Sequence, residues 1–381
     1  MNWTVPLFHT DLGEKELEAV TRVISSGWLT MGDETRLFEQ EFAAYLGVRH
    51  AFMVSNCTAA LHLAHHVLGA GTGDEVITPS LTFVATANSI VQTGATPIFT
   101  DVVSHSDLTV SPEAIAAKLS EHTKGIVVMH YGGFACDMDA IIKMARDRNL
   151  YVVEDCAHSV GGRFDSRMTG TIGDVGCFSF FSNKNLSTGE GGMIVTNRDD
   201  LAERFRALRS HGMTTVTLDR HRGHAFSYDI VDYGFNYRSA ELNAALGRVQ
   251  LMKLEEKNAR RRLLMRRYIA HLTNVKGVFP VFSGRGDIEK SACHLMAVVL
   301  NEGIDRAVVM QKMKERGIQT SIHYRPIHTF SAYRAKVSAC GLDVTDSLAN
   351  RLLTLPLYPA MSENQVDIVV DALRDAVGAV S

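Results

Sequence analysis

Tryptophan and proline are scarce in this chain of 381 residues, with two and eight copies. So few prolines leave long stretches free for unbroken helices and strands. Neither charge sign is in large excess: 39 Lys and Arg face 42 Asp and Glu, a formal net charge of -3. Nothing here calls for a nucleic acid or an anionic membrane surface as partner. No apolar run approaches the roughly 18 to 20 residues that cross a bilayer, so no membrane span is expected. The opening residues lack a basic stretch followed by an apolar one, and no secretory leader is expected. The six cysteines (Cys57, Cys136, Cys156, Cys177, Cys293, Cys340) are scattered and form no CxxC pair. That spacing argues against a metal site or a disulfide framework. It fits reduced thiols in a cytoplasmic protein.

What is present has the balance of a globular chain, 46% apolar and 21% charged, at a length that favours two domains. Short apolar, β-branched runs predict strands at 51–54, 75–78, 96–100, 125–129 and 151–154. Helical spacing fills 58–67, 83–91, 112–119 and 138–146 between them. Such alternation predicts an α/β fold, a mostly parallel sheet sandwiched by helices. Strands at 175–181 and 193–196 flank a glycine-rich turn, and a helix follows at 201–209. A polar, histidine-containing loop spans 210–227, and one long helix or two joined ones span 241–270. The basic run Arg260, Arg261, Arg262, Arg266 and Arg267 reads as a solvated helix face. From about 275 strands and helices mix, as in a smaller C-terminal α+β domain. Residues 1–250 are assigned to the large domain and 251–381 to the small one.

Two segments carry the chemistry. Tyr151-Val-Val-Glu-Asp155 is an apolar strand ending in carboxylates. Ligands of open parallel sheets sit beyond the carboxyl ends of the strands, which makes Asp155 a candidate; a turn cap or an arginine pair is the plainer alternative. Ser179-Phe-Phe-Ser-Asn-Lys184 leads from a strand toward Gly189-Glu-Gly-Gly. A lysine held between a buried strand and such a turn can have a depressed pKa and attack carbonyls. Pyridoxal phosphate chemistry needs such a lysine, a carboxylate for the ring nitrogen and donors for the phosphate. Ser55-Asn-Cys-Thr58-Ala59 joins a strand to a helix, where free N–H groups suit a phosphate; it also reads as a plain N-cap.

These segments form part of a longer series of blocks. The others are Gly27-Trp28-Leu-Thr30-Met-Gly32, Thr78-Pro-Ser-Leu-Thr-Phe83-Val-Ala-Thr86, Asp137-Met-Asp139, Glu154-Asp155-Cys-Ala-His158-Ser159, Gly234-Phe-Asn236-Tyr-Arg238 and Leu355-Pro-Leu-Tyr358-Pro359. In this order they resemble the DegT/DnrJ/StrS family, sugar aminotransferases of the fold-type-I pyridoxal-phosphate enzymes, over nearly the whole chain. The resemblance implies pyridoxal 5′-phosphate as cofactor, bonded to Lys184, which also moves the substrate proton. Asp155 would keep the pyridine nitrogen protonated, Phe83 would stack on the ring, and His158 would lie near it. Ser179, Thr58 and the backbone at Ala59 would hold the phosphate. Asn236 would reach the same phosphate from the neighbouring subunit of a homodimer.

The implied reaction moves an amino group from L-glutamate to a nucleotide-diphosphate-linked keto sugar, a 4-keto-6-deoxyhexose, giving an amino sugar nucleotide. A 3-keto sugar nucleotide, a keto-cyclitol and a non-catalytic cofactor-binding regulator stay open as alternatives. Substrate contacts are expected from Trp28, Thr30, Arg220, His323 and Tyr324, with His211, His221, Arg222 and His224 of the polar loop. Two positions depart from the family pattern. Cys57 stands where many relatives have glycine, and Ser182-Asn183 replaces a proline-threonine pair. Lys184 itself disfavours the relatives that carry histidine there and act as dehydratases.

Overall fold

The computed structural model describes residues 3–215, 227–335 and 340–379. Helices α1 (Glu14–Ser26) and α2 (Asp33–Leu46) precede a central sheet. Its first strands alternate with helices: β1 (His50–Val54), α3 (Cys57–Val67), β2 (Glu75–Pro79), α4 (Val84–Gln92), β3 (Thr96–Thr100), α5 (Pro112–Ala116), β4 (Thr123–Met129), α6 (Met138–Arg148) and β5 (Tyr151–Asp155). A short ribbon, β6 (Arg163–Phe164) and β7 (Arg167–Met168), comes before β8 (Val175–Ser179) and β9 (Gly192–Thr196).

The seven-stranded order is β1-β9-β8-β5-β4-β2-β3. Only β9 runs against its neighbours, β1 and β8; the other pairings are parallel. Strands β5, β8 and β9 are buried at every position, as their continuous apolar runs require when helices cover both faces. On one face α3 and α7 (Asp199–Leu208) bury Leu61, Leu63 and Phe205 against Val153 and Ile194. On the other, Phe38 and Phe42 of α2 meet Phe178, and Ile141 of α6 meets Ile126 and Val128.

Helix α8 (Glu241–Leu272) is one uninterrupted rod of 32 residues. No proline breaks it, and its one glycine, Gly247, admits the Phe38 ring, which would lie 2.5 Å from an added Cβ. The rod passes through residue 250 and packs in both lobes. Beyond it, β10 (Val278–Pro280), β11 (Met296–Leu300) and β12 (Leu352–Leu355) form an antiparallel sheet. Helices α9 (Arg306–Glu315), α10 (Ser331–Arg334), α11 (Asp343–Leu348) and α12 (Glu363–Gly378) complete this smaller lobe. Its core joins Leu264 and Tyr268 of α8 to Val298, Leu353, Val366 and Leu373, and continues into Leu81 and Met129 of the large lobe.

The basic run on α8 corrects one expectation: it is not simply a solvated face. Arg261 is only 3% exposed and donates to the carbonyls of Leu357 (2.9 Å) and His294 (3.3 Å). Arg260 donates to the Met361 carbonyl, and Arg267 grips Asp367 and Glu363. Backbone carbonyls and acids of the C-terminal segment turn this stripe into an attachment seam.

Candidate active site

A cavity of about 670 Å³ opens where β5 and β8 end and α3 begins. Thr58, Ala59, Phe83, Asp155, His158, Ser179, Lys184, His323 and Tyr324 all line it. The parallel order explains the convergence, since β1, β5 and β8 deliver their carboxyl ends to one edge.

Asp155, the last residue of β5, is buried. Thr86 donates to its Oδ2 at 2.8 Å, and the Ala157 N–H to its Oδ1 at 3.1 Å. Burial pushes its pKa up, against the pull of those two donors and of the Lys184 charge. Among the described residues it has no ion-pair partner within 4 Å.

Lys184 sits in the turn after β8, where its N–H bonds the Phe181 carbonyl at 2.9 Å. Its side chain is half-buried and has no hydrogen-bond partner among the described residues. Burial lowers its pKa to about 8, while Asp155 pulls the other way. An amine so placed loses its proton far more readily than a surface lysine.

His158 accepts a hydrogen bond at Nδ1 from the Gly132 N–H (3.3 Å) and meets the Tyr324 hydroxyl at Nε2 (2.8 Å). Accepting at Nδ1 leaves the ring proton on Nε2. Burial holds its pKa well below the usual histidine value, and the Lys184 charge adds to this. His323 bonds Thr354 Oγ1 through Nδ1 (3.0 Å), and burial lowers its pKa to about 4. The cavity wall therefore presents neutral imidazoles. Phe83, the N-cap residue of α4, is 52% exposed, an aromatic face left open toward the cavity.

At the far end, Asn56 caps α3 by accepting the Ala59 N–H at 2.9 Å. Ala59 lines the cavity, yet its amide is thus already taken. The amides of Cys57 and Thr58 have no acceptor among the described residues. Gly192, the first residue of β9, crosses here; a Cβ on it would come within 2.5 Å of the Asn56 carbonyl carbon. The antiparallel strand can pass the helix start only without a side chain. Cys57, the residue before Thr58, is buried.

Four expected residues among those described do not line this cavity. Trp28 lines a separate one of about 400 Å³ with Arg22, Asp33, Glu34 and Glu241. Thr30 bridges Ala240, and the exposed Asn236 bridges Ser210. His211 lies beside them, its N–H on the Phe235 carbonyl at 2.8 Å. Arg220, His221, Arg222 and His224 lie outside the described residues.

Sequence reasoning passed over Thr86 and Tyr237. The Tyr237 hydroxyl meets His62 Nδ1 at 2.8 Å, its carbonyl takes the Ser55 N–H at 2.8 Å, and its side of the chain lines the cavity. Thr86 carried a signal: it is the last residue of the block that begins at Thr78, about one helical turn past Phe83. Glu154, next to Asp155, has a different task. It accepts from His130 Nε2 (2.9 Å) and from the N–H groups of Gly170 (2.7 Å), Ile172 (2.7 Å) and Gly173 (2.6 Å). Although Glu154, His130 and Cys156 cluster, these donors occupy the carboxylate, which braces the 170–173 turn against β5.

The DegT/DnrJ/EryC1/StrS aminotransferase family model matches residues 10–374. The spore coat polysaccharide biosynthesis protein SpsC of Bacillus subtilis (strain 168) is 39% identical over 373 residues, 96% of this chain and 95% of its own. The aminotransferase TlmJ from Streptoalloteichus hindustanus superposes with a TM-score of 0.91 at 36% identity, covering 99% of this chain and 100% of that one. Spr1654 from Streptococcus pneumoniae in its PLP form gives 0.91 at 25% identity over 99% of each chain, and it is also solved in a PMP form. DesI, solved in the presence of its TDP-sugar product, gives 0.86 at 32% identity over 97% of this chain and 91% of that one. On the match along nearly its whole length, this chain belongs to the DegT/DnrJ/EryC1/StrS aminotransferase family and is a sugar aminotransferase.

Proposed function

We propose that this enzyme uses pyridoxal 5′-phosphate to move the amino group of L-glutamate onto a nucleotide-diphosphate-linked 4-keto-6-deoxyhexose. One observation carries the reading. A single cavity holds both an amine with no hydrogen-bond partner among the described residues, Lys184, and a buried carboxylate with no ion-pair partner within 4 Å among them, Asp155. The chain's groups fit the cofactor. A protonated ring nitrogen would answer the buried charge of Asp155. The open amides of Cys57 and Thr58, with the Thr58 and Ser179 hydroxyls, suit a phosphate at a helix start. Phe83 offers a ring face.

When bound, the cofactor supplies an electron sink for the electrons released at the substrate carbon. The remaining work falls to the chain. Lys184, with a pKa of about 8, can take a proton from that carbon and return it. Positioned proton transfer of this kind contributes roughly 10² to 10⁴-fold. Asp155 holds the proton on the ring nitrogen, steadied by Thr86 and the Ala157 amide. The neutral pair His158 and Tyr324 forms a wall that adds no competing charge.

Several further points belong to this reading. The nucleotide sugar is supported by DesI and its TDP-sugar product, and the cofactor by the PLP and PMP forms of Spr1654. A homodimer in which Asn236, with Trp28 and Thr30, serves the neighbouring subunit's site is supported by their absence from the lining of their own cavity. It is also supported by Tyr233, 93% exposed close to Asn236. Six free thiols are in keeping with a cytoplasmic setting. The division near residue 250 assigns Lys184 and Asp155 to the large lobe, and His323 and Tyr324 to the small one.

The test is amination of a panel by the holoenzyme with L-glutamate, read by mass spectrometry. The panel holds a nucleotide-linked 4-keto-6-deoxyhexose, a 3-keto sugar nucleotide and a keto-cyclitol. Amination of the first is expected. Preference for either of the others would replace the acceptor, and no amination of any would sink the reading. Borohydride reduction followed by peptide mapping should place the cofactor mass on Lys184.

A further inference from the structure

Asn185 follows Lys184 directly and is 5% exposed. Its Nδ2 donates to Asn258 Oδ1 at 2.8 Å and to the Ala292 carbonyl at 2.7 Å. Its Oδ1 lies 3.0 Å from His294 Nδ1. Both amide hydrogens are used, so Oδ1 accepts, and His294 must carry its ring proton on Nδ1. Each partner is anchored in turn. Asn258, buried on α8, donates to the Val160 carbonyl at 3.0 Å. The His294 N–H bonds the Gly132 carbonyl at 2.8 Å, and the Gly132 N–H is the donor on His158 Nδ1. The His294 and His158 rings lie 4.5 Å apart, centroid to centroid.

On the other side of the lysine the bonds are made by Ser182, a partly exposed residue whose carbonyl accepts from Thr10 Oγ1 (3.0 Å) and whose hydroxyl donates to the Gly189 carbonyl (3.2 Å). Among the described residues the buried Asn183 Oδ1 has no hydrogen-bond partner, whereas both amide hydrogens and the Oδ1 of Asn185 are bonded. The buried anchorage of the lysine backbone is therefore on its C-terminal side, into α8 and the segment leading to β11. A shift of about 1 Å in a reacting group can cost on the order of 10²-fold in rate. An anchor one residue from the amine controls displacements on that scale.

We propose that Asn185 is a positioning residue for Lys184. It sets the lysine's backbone against α8, and through the fixed tautomer of His294 it keeps the His158 ring in place. The inference rests on the reading of Lys184 as the cofactor-bearing lysine.

The test compares kcat, KM and cofactor capture in three variants. Asn185→Ala should lose about 10- to 100-fold in kcat, with KM for both substrates within about twofold. Capture of pyridoxal phosphate by its apoenzyme, followed by visible absorbance, should slow in parallel. His294→Leu, which removes the donor facing Oδ1, should move kcat in the same direction. His294→Asn, which puts an amide N–H near the place of Nδ1, should recover most of that loss. A kcat and capture rate within twofold of the parent in Asn185→Ala, whatever its melting temperature, would overturn the inference. Equal behaviour of the two His294 variants would also overturn it, and that pair decides if Asn185→Ala fails to fold. Borohydride trapping in the parent separates the two claims. Trapping elsewhere than Lys184 removes both, whereas trapping on Lys184 with an unaltered Asn185→Ala removes only this one.

Discussion

Thr86 Oγ1 donates to Asp155 Oδ2 at 2.8 Å and so ties the helix after Phe83 to the acid at the end of β5. This bond lowers the carboxyl pKa, in opposition to burial. Removing it in Thr86→Val should push Asp155 further up. Hydrogen bonds to charged groups are worth about 1.5 to 3 kcal/mol, which corresponds to roughly one to two pKa units. The carboxylate is lost as pH falls through that raised pKa, so the acid limb of kcat should move to higher pH. An unmoved acid limb in the kcat profile would remove Thr86 from the mechanism.

Lys184→Ala should leave no borohydride-stable cofactor on the protein and no detectable turnover. Asp155→Asn should still bind the cofactor but lose at least about 10²-fold in kcat, the scale of losing one preorganised electrostatic group. Measuring both by absorbance and by single-turnover amination separates attachment from electron withdrawal. If Asp155→Asn retained full kcat, the ring nitrogen would need another partner.

The depressed pKa of Lys184 gives a pH signature in the apoenzyme. The neutral amine is the nucleophile, and with a pKa of about 8 roughly a tenth of it is neutral at pH 7. The rate of pyridoxal phosphate capture should therefore rise with pH and level off above about 8. A midpoint at the ordinary lysine value would contradict the burial argument. The same shift feeds stability with a defined sign. Between the folded pKa and the ordinary one the unfolded chain binds the extra proton, so this residue's contribution to stability rises with pH across that window.

Glu154→Gln should destabilise rather than merely slow the enzyme. The carboxylate takes four N–H donors, and an amide nitrogen in its place would face two of them. Breaking a buried, paired charge typically costs about 3 to 5 kcal/mol. Urea unfolding measures it, and a change below about 1 kcal/mol would show that the 170–173 turn does not depend on this acid.

The site was legible where chemistry coincided with a strand end. Asp155 and Lys184 each follow an apolar run, and Thr58 opens a helix after another, so all three could be placed from local pattern. The antiparallel course of β9 was not legible, because its apolar run would suit either direction; its steric requirement at Gly192 appears only against Asn56. Arg261 looked like its basic neighbours, since nothing local marks which arginine will meet the Leu357 and His294 carbonyls. The contact between Asn185 and His294 spans 109 residues of chain. Thr86 and Tyr237 were missed for a similar reason: their partners, Asp155 and His62, lie far off in sequence. Trp28, Thr30 and Asn236 were chosen by resemblance alone, and folding of one chain does not bring them to Lys184.

The unbroken course of α8 bears on any attempt to retune sugar preference by exchanging parts between relatives. Its early turns lie on α1 and α2, and its later ones on the C-terminal sheet and α12. A chimera spliced at 250 would join two half-rods moored to foreign neighbours at opposite ends. A junction after Leu272, ahead of Val278, transplants His323 and Tyr324 while the recipient keeps its whole rod and, with it, Asn258 as the mooring post of the lysine loop.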